Sequence, residues 1–199
     1  RFLSNLSTGE MGYALARAAV SRGYQVSLVS GPTNLQPPKD VKFYPVVSSI
    51  QMKKVCESIF SKHDALIMTA AVCDFMPVAA GRHKIPSTKG LTLKLKRTPD
   101  VLASLAKQKG RRVVIGFCLE TQDLIRRAAG KLARKNLDGI VANFYDPLGH
   151  IPFGKRRVEV HLIDASGKVW SFVKRSKRQI AGTLLKWMEG LGRQPGEGV

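Results

Sequence analysis

The first stretch with chemical potential is the turn SNLSTGEMG, residues 4–12, which leads directly into an alanine-rich helical pattern. Ser7 and Thr8 offer hydroxyl groups, and Gly9 lets the backbone approach a ligand closely. A helix beginning here presents unpaired N–H groups and the positive end of its macrodipole, which together favour anions. The spacing fits neither GxGxxG nor a P-loop, so neither of those sites is predicted. The alternative is a helix capped by Ser or Thr without any ligand.

A second candidate follows the apolar run DALIMTA, in the sequence TAAVCDFMP of residues 69–77. Small residues at the carboxyl end of a strand leave room for a ligand, and open α/β sheets bind ligands at that edge. Asp74 stands just beyond it and can accept hydrogen bonds from a hydroxyl group, an amino group or a metal-bound water. The alternative role of Asp74 is to cap a turn.

Three lysines add candidates for binding phosphate. Lys84 lies in HKIPSTKG, an irregular segment, where its charge can close over an anionic substrate. Lys131 and Lys135 are four residues apart and share one helix face with Arg127, so they repel each other unless an anion lies between them. The alternative for all three lysines is a solvated basic surface.

The net charge of +19 is the outlying feature of the composition. It predicts anionic partners, namely nucleic acid, acidic lipid or phosphorylated small molecules. The charges are spread along the chain, with concentrations over residues 126–135 and 155–178. Aromatic residues accompany the basic ones only at Trp170 and Phe172, so nucleic-acid binding is not expected to be the main function.

Several classes of protein and site are not expected. The sequence has no run of about 18 apolar residues and no secretory signal, so neither a membrane span nor export is predicted. Three cysteines without CxxC spacing favour neither a disulfide framework nor structural zinc, and we expect a cytoplasmic protein. The four histidines show no metal-ligand spacing, and no Ser/His/Asp or Cys/His arrangement is recognisable: His63, His83, His150 and His161.

The periodicity predicts one α/β domain with parallel strand pairing, because short β-rich runs alternate with helical patterns. Helices are predicted over residues 9–22, 50–60, 98 onward, 122–135 and 177–188. Strands are predicted over residues 25–30, 41–46, 64–70, 91–96, 113–117 and 139–143, with a hairpin over 158–173. Residues 73–90 are predicted to form a long loop, and Pro99 to lie in the first turn of its helix.

Taken together, these segments resemble the phosphopantothenate–cysteine ligase family, the synthetase domain of the bacterial bifunctional coenzyme A enzyme. RFLSNLSTGEMGYALA resembles the family opening RFISN-x-SSGKMG-x-A, and AAVCDF resembles AAVADY. HKI stands where the family has KIKK, LKLKRTPDVL resembles a strand leading into KNPDIL, and GFCLET resembles GFAAET. KLARKNLDGIVAN is close to KL-x-x-K-x-D-x-IVAN, so the resemblance extends to about residue 186.

The resemblance implies a Rossmann-like three-layer sandwich with a mostly parallel sheet and a protruding strand–loop element, residues 84–97, that pairs in a homodimer. It also implies a reaction. The carboxylate of 4′-phosphopantothenate attacks the α-phosphate of CTP, with Mg²⁺ present, and releases pyrophosphate. Cysteine then attacks the acyl-cytidylate, which releases CMP and forms the amide. A decarboxylase domain, fused or separate, is the expected partner.

The same resemblance implies the site residues. Asn5 and Lys84 are the catalytic residues, and Asn5 holds the acyl-cytidylate for the second step. The implied substrate contacts are Arg1, Ser7, Gly9 and Ala71. The implied nucleotide contacts are Met68, Thr69, Ala70, Asp74, Lys84, Pro99, Asp100, Val101, Leu102, Phe117, Lys131 and Lys135.

Departures from the family pattern leave alternatives open. Glu10 replaces a basic residue of the substrate turn, where its carboxylate is expected to compete with a bound phosphate. The family's leading strand is absent from residues 1–190, which are expected to form one synthetase domain, with residues 191–199 as a disordered tail. An ATP-dependent version of the ligase and a catalytically lapsed binding protein of the same fold are the two alternatives.

Overall fold

The computed structural model describes residues 4–79, 92–145 and 157–192. Within them the α-helices are α1 Glu10–Ser21, α2 Ser49–Phe60, α3 Val101–Ala106, α4 Leu124–Arg134 and α5 Lys177–Leu191. The first strands are β1 Val26–Ser30, β2 Val41–Pro45, β3 Ala65–Met68, β4 Phe75–Pro77 and β5 Leu95–Arg97. The later strands are β6 Val113–Glu120, β7 Gly139–Phe144, β8 Val158–Asp164 and β9 Val169–Arg175.

The central sheet has five strands in the order β3-β6-β7-β8-β9. Strands β3, β6 and β7 run parallel, whereas β8 and β9 form the predicted antiparallel hairpin. Strands β1 and β2 form a separate parallel pair. The prediction of an α/β fold with a mostly parallel sheet is confirmed.

Helices cover both faces of the sheet because the central strands are apolar on both sides. Val141 of β7 packs in a cluster with residues of α1 and α5, including Leu15 and Leu184. The neighbouring Ile140 packs on the opposite face with residues of α3 and α4, including Leu132. Alternate side chains of one strand therefore point to opposite helical layers.

Local chemistry fixes the ends of several elements. Ser48 and Ser176 each form a capping box with a glutamine, so α2 and α5 begin at defined residues. The β8–β9 turn is held by Asp164, whose carboxylate accepts hydrogen bonds from the backbone N–H groups of Ser166 and Lys168. Gly167 completes the turn with a φ of 86°, a conformation that glycine adopts without strain.

The structure corrects the prediction for the middle of the chain. Residues 73–90 do not form one continuous loop, because β4 pairs in antiparallel fashion with β5. The predicted strand over residues 91–96 is shorter and later, at Leu95–Arg97. Pro99 precedes α3, because Asp100 is the N-cap residue and its carboxylate accepts the Ala103 N–H.

Two further boundaries differ from the predictions. Strand β3 spans Ala65–Met68 instead of the predicted residues 64–70, and all of its residues are half-exposed because it lies at the edge of the five-stranded sheet. Helix α5 continues to Leu191, whereas the rest of the predicted disordered tail, residues 193–199, lies outside the described residues. No helix within the described ranges is long and apolar enough to cross a membrane.

A Cβ atom at Gly139 of β7 would overlap the Trp187 ring of α5, so close packing of the two elements requires glycine at this position. A Cβ atom there would lie 2.9 Å from Cζ3 of Trp187 and closer still to Cη2. Gly139→Ala is expected to reduce the free energy of unfolding by about 1–3 kcal/mol through overpacking, measured by urea denaturation. Gly182→Ala is the control, because nothing lies within 4 Å of its Cβ position in α5. It should stabilise the helix by roughly 0.5–1 kcal/mol, and equal effects of both changes would contradict the constraint.

Candidate active-site cleft

A cleft of about 960 Å³ lies at the carboxyl edge of the parallel strands. The segments after β3, the end of β6 and the end of β7 form its floor. The amino-terminal ends of α1, α3 and α5 and the last turns of α4 form its walls. This is the edge at which open α/β sheets bind ligands.

The cleft collects the predicted site residues that the structure describes. Those lining it are Asn5, Ser7, Gly9, Met68, Thr69, Ala70, Ala71, Asp74, Pro99, Asp100, Val101, Leu102, Phe117, Lys131 and Lys135. The remaining two, Arg1 and Lys84, lie outside the described residues. Their placement together is an observation, whereas the role of each residue stays a prediction.

Asn5 links the substrate turn to the segment after β3. Its Nδ2 donates a hydrogen bond to the carbonyl oxygen of Ala71, and its Oδ1 accepts the N–H of Ser7 at 3.0 Å. Gly9 is the N-cap of α1 with a φ of 78°, and no side chain caps this helix. The alternative of a Ser/Thr-capped helix is therefore wrong, and the first N–H groups of α1 face the cleft without a side-chain acceptor.

Lys131 does not depend on a phosphate to relieve repulsion, contrary to our expectation. Its Nζ lies 2.7 Å from a carboxylate oxygen of Glu120, and Arg127 lies 3.5 Å from the other oxygen. The Glu120 side chain is only 7% exposed and lies at the end of β6. The sequence analysis missed this residue because β6 was predicted to end at residue 117, three residues too early.

Lys135 has a carboxylate partner as well. Its Nζ lies 2.8 Å from Asp100, the residue that caps α3. Desolvation raises the pKa of Asp100, but the Lys135 hydrogen bond, the Ala103 N–H and the Lys135 charge outweigh it and hold the pKa below its usual value. The pair therefore joins the start of α3 to the end of α4 beside the cleft.

Glu10 is paired in the same way. Its carboxylate lies 3.0 Å from Nζ of Lys177, the first residue of α5, and both side chains are largely buried. The expected conflict between Glu10 and a bound phosphate is thus reduced by a cation that the sequence analysis did not identify. The two residues are 167 positions apart, and no local pattern connects them.

Two buried polar atoms in the cleft lining lack a hydrogen-bond partner within the described ranges. They are Oγ1 of Thr98, which precedes α3, and Oδ1 of Asn143, at the end of β7. Buried acceptors are normally satisfied by protein, water or ligand. Both atoms therefore mark positions at which a bound molecule can supply hydrogen-bond donors.

The donor set does not fit a resident metal ion. No group of three or more histidine, cysteine, aspartate or glutamate side chains comes together in the part of the chain that the structure describes. Of the acids in the lining, Glu10 and Asp100 are paired with lysines. Mg²⁺ in triphosphate sites is typically held by the phosphates and one or two carboxylates, an arrangement that needs no resident cluster of acids.

The cysteines differ in their surroundings. Burial raises the pKa of Cys56 to about 11, with a smaller effect of the Glu57 charge. Burial likewise raises the pKa of Cys118 to about 11. Cys73 lines the cleft, with its sulfur 4.0 Å from Nδ2 of Asn5. Because the thiolate is the reactive form, Cys56 and Cys118 are expected to be inert near neutral pH.

The family described as the DNA/pantothenate metabolism flavoprotein C-terminal domain matches residues 1–191. The chain belongs to this family.

Two relatives and one crystal structure are similar to this chain over most of its length. The coenzyme A biosynthesis bifunctional protein CoaBC of Bacillus subtilis is 41% identical, over 99% of this chain and 49% of that protein. A cysteine/cysteine sulfinic acid decarboxylase from an unknown prokaryotic organism is 38% identical, over 94% and 52%. The chain thus spans about half the length of the curated relatives it matches. The crystal structure of the C-terminal domain of a CoaBC protein superposes with a TM-score of 0.81 at 33% identity, covering 96% of this chain and 86% of that one.

Asp100 is expected to stabilise the fold in two separable ways, as the N-cap of α3 and as the ion-pair partner of Lys135. Asp100→Asn keeps a capping side chain and removes the charge, so it should cost about 0–1 kcal/mol at pH 7. Asp100→Ala removes both contributions and should cost more, about 0.5–2 kcal/mol for the lost cap alone. Urea denaturation at pH 7 measures the order of the two variants.

The pH dependence follows from the lowered pKa of Asp100. A carboxyl group whose folded pKa is depressed stabilises the fold above its unfolded pKa of about 3.9, and this contribution is lost as the pH falls through the folded value. The difference between wild type and Asp100→Asn should therefore shrink as the melting temperature is measured from pH 7 down to pH 3. A constant difference over that range would contradict the assignment.

Proposed function

We propose that the chain is the synthetase domain of coenzyme A biosynthesis and joins 4′-phosphopantothenate to cysteine through an acyl-cytidylate, with CTP cleaved to CMP and pyrophosphate. The observation that carries the proposal is Asn5, hydrogen-bonded to Ser7 and Ala71 in a cleft that Lys131 and Lys135 also line. Membership of the family and the similarity to CoaBC proteins support the same function.

The proposed reaction has two steps, activation of the carboxylate and then formation of the amide. The carboxylate of phosphopantothenate attacks the α-phosphorus, the bond to the bridging oxygen breaks, and pyrophosphate leaves with that oxygen. The cysteine amine then attacks the acyl carbon, loses a proton and expels CMP. Lys131 and Lys135 supply positive charge where the phosphates lie, because each ammonium group can exchange its carboxylate partner for a phosphate oxygen.

The small side chains beside Asn5 give the reacting groups access. Ala70 and Ala71 follow β3 directly and line the cleft, so the acyl group can approach the backbone there. The Asn5 amide bridges this segment and the substrate turn, which places a hydrogen-bonding group at the junction of the two. We assign Asn5 to holding the acyl-cytidylate and Lys84 to the activation step.

Several finer points belong to the same proposal. CTP is preferred over ATP as the activating nucleotide, Mg²⁺ accompanies the triphosphate, and the protein works in the cytoplasm as a homodimer paired through residues 84–97. Residues 1–190 form one domain that works beside a decarboxylase domain. A further strand between β1 and β3 would join the two sheets, which the described residues leave separate.

The test is CMP and pyrophosphate release by the complete gene product supplied with CTP, Mg²⁺ and 4′-phosphopantothenate, with and without cysteine and with ATP in parallel. Cysteine-dependent CMP release together with the amide product is the expected result. AMP release with ATP alone would replace the nucleotide assignment. Silence with both nucleotides would overturn the ligase and favour a binding protein of the same fold.

Asn5→Asp is expected to separate the two half-reactions. An aspartate cannot donate to the Ala71 carbonyl and places a charge beside it, so the acyl-cytidylate should be held incorrectly for the second step. Pyrophosphate release should persist while the cysteine adduct falls at least tenfold, measured by chromatography of both products. Asn34→Asp is the control, because Asn34 is an exposed asparagine in the loop after β1. Full ligation by Asn5→Asp would contradict the role of Asn5.

Lys131→Gln is expected to weaken nucleotide binding about tenfold, through loss of a charge-assisted contact. The change also leaves Glu120 buried with Arg127 at 3.5 Å as its remaining described cation. The double variant Lys131→Gln/Glu120→Gln separates these effects, because it removes the carboxylate together with its partner. Arg126→Gln is the surface control, since the Arg126 side chain on the same helix is 81% exposed. Titration calorimetry with Mg-CTP measures all three variants, and unchanged affinity in both Lys131 variants would remove Lys131 from the site.

A further inference from the structure

Four exposed basic residues come together where β8 begins, β9 ends and α5 begins, and none of them lines the cleft. They are Arg157, Lys174, Arg175 and Arg178. Arg157 donates a hydrogen bond from Nη1 to the carbonyl oxygen of Lys174 at 3.2 Å, and Val158 pairs with Arg175 in the sheet. The four residues therefore form one surface, the basic patch.

The basic patch borders the cleft. Val158 and Lys177 line the cleft, and Arg157 precedes the first of them whereas Arg178 follows the second. Because β8 runs antiparallel to β7, the start of β8 lies towards the carboxyl end of β7. The charge of the patch is thus held at the same edge of the sheet as the cleft.

No carboxylate neutralises this surface. None of the four patch residues forms an ion pair in the part of the chain that the structure describes. Lys131, Lys135 and Lys177 in the cleft lining differ in this respect, because each has a carboxylate within 3.0 Å. Unpaired surface charges produce a field that attracts ions of opposite sign from solution. The field beside the cleft therefore comes from the patch more than from the paired lysines.

Folding alone does not favour basic residues at these positions. Lys174 has a φ of 53°, in the left-handed region that glycine adopts more readily, and it lies in a bulge where β9 has one residue more than β8. The first turn of α5 contains Lys177 and Arg178 but no acidic residue, although the helix macrodipole favours acids there. An anionic partner in solution accounts for positive charge at a place where local structure opposes it.

We propose that the basic patch steers the anionic substrates of the neighbouring cleft towards it and thereby accelerates their association. The inference rests on the proposed function, in which the nucleotide and phosphopantothenate both carry phosphate groups. Electrostatic steering raises the rate of association, whereas contacts within the complex determine the rate of dissociation. Because the patch residues lie outside the cleft lining, their removal should leave the dissociation rate constant unchanged.

The test is stopped-flow measurement of a fluorescent CTP analogue, with Mg²⁺, binding to the complete gene product. Arg157→Gln/Arg175→Gln/Arg178→Gln should associate about fivefold more slowly than wild type at about 0.1 M salt, where the screening length is roughly 10 Å. The difference should fall below about twofold at roughly 1 M salt, where that length is about 3 Å. The dissociation rate constant should stay within about twofold of wild type at both salt concentrations.

A charge-matched control separates the patch from the net charge. Lys62→Gln/Lys107→Gln/Arg111→Gln also removes three positive charges, from exposed residues that precede β3 and β6 at the opposite edge of the sheet. These residues lie away from the cleft, so screening should hide their loss at about 0.1 M salt. The control should associate within about twofold of the wild-type rate.

Lys174 allows charge to be separated from backbone conformation. Lys174→Gly removes the charge and the left-handed strain together, so association should slow about twofold while the melting temperature equals or exceeds that of wild type. Lys174→Arg keeps the charge and should associate at the wild-type rate. Slower association of Lys174→Arg would mean that the lysine acts through a specific contact and not through its field.

Other outcomes overturn the inference in distinguishable ways. Equal association rates of wild type and the triple patch variant at about 0.1 M salt would exclude steering by these residues. Equal slowing by the control variant would make the net charge the cause. Loss of binding to a mixed-sequence oligonucleotide, with unchanged association of the CTP analogue, would assign the patch to nucleic acid. A wild-type protein that binds no nucleotide would overturn the proposed function together with the inference.

Discussion

The parallel alignment of β3, β6 and β7 is the constraint on which the rest of the structure depends. Met68 pairs with Gly116 and Phe117 with Val141, so the three strands reach one edge of the sheet in sequence order. Parallel strands require crossover helices, and those helices begin or end at the same edge. One pairing scheme thus brings together the segment after β3 and the ends of β6 and β7, although these are far apart in sequence.

Although the net charge of the chain is +19, several basic side chains of the cleft are neutralised by ion pairs with carboxylates. Lys131, Lys135 and Lys177 each have a carboxylate within 3.0 Å. Because these pairs are partly buried, their loss in a complex must be offset by contacts of comparable strength, which phosphate oxygens supply. Under the proposed function, binding by exchange of partners would favour ligands that present several phosphate oxygens in a fixed geometry over a general polyanion. Among the described residues, the cleft lining has five basic and three acidic side chains, so it holds only a small part of the excess positive charge.

Sequence reasoning predicted elements that rest on local patterns and missed contacts that join distant residues. Helix α1 and the β8–β9 hairpin were predicted within a few residues, since periodicity and turn residues determine them. The β4–β5 pair was missed because each strand has three residues and pairs across a long separation. Glu120 was missed because β6 was expected to end at residue 117, and Lys177 because its partner Glu10 is 167 positions away. Pro99 was expected in the first turn of α3, but it precedes the N-cap residue Asp100. The site was predicted chiefly through motif resemblance, because phosphate chemistry alone did not single out Asn5.

The two faces of the sheet carry different polar side chains at the cleft. The α3–α4 face carries Lys131 and Lys135, whereas the α1–α5 face carries Asn143 and the Glu10–Lys177 pair. Two reactants held on opposite faces of a sheet can meet only beyond its edge, because the strands lie between them. The segment after β3 lies at that edge, and its residues Ala70 and Ala71 have small side chains. Under the proposed function the two reactants would meet beside the Asn5 amide, which is hydrogen-bonded to Ala71 at this junction.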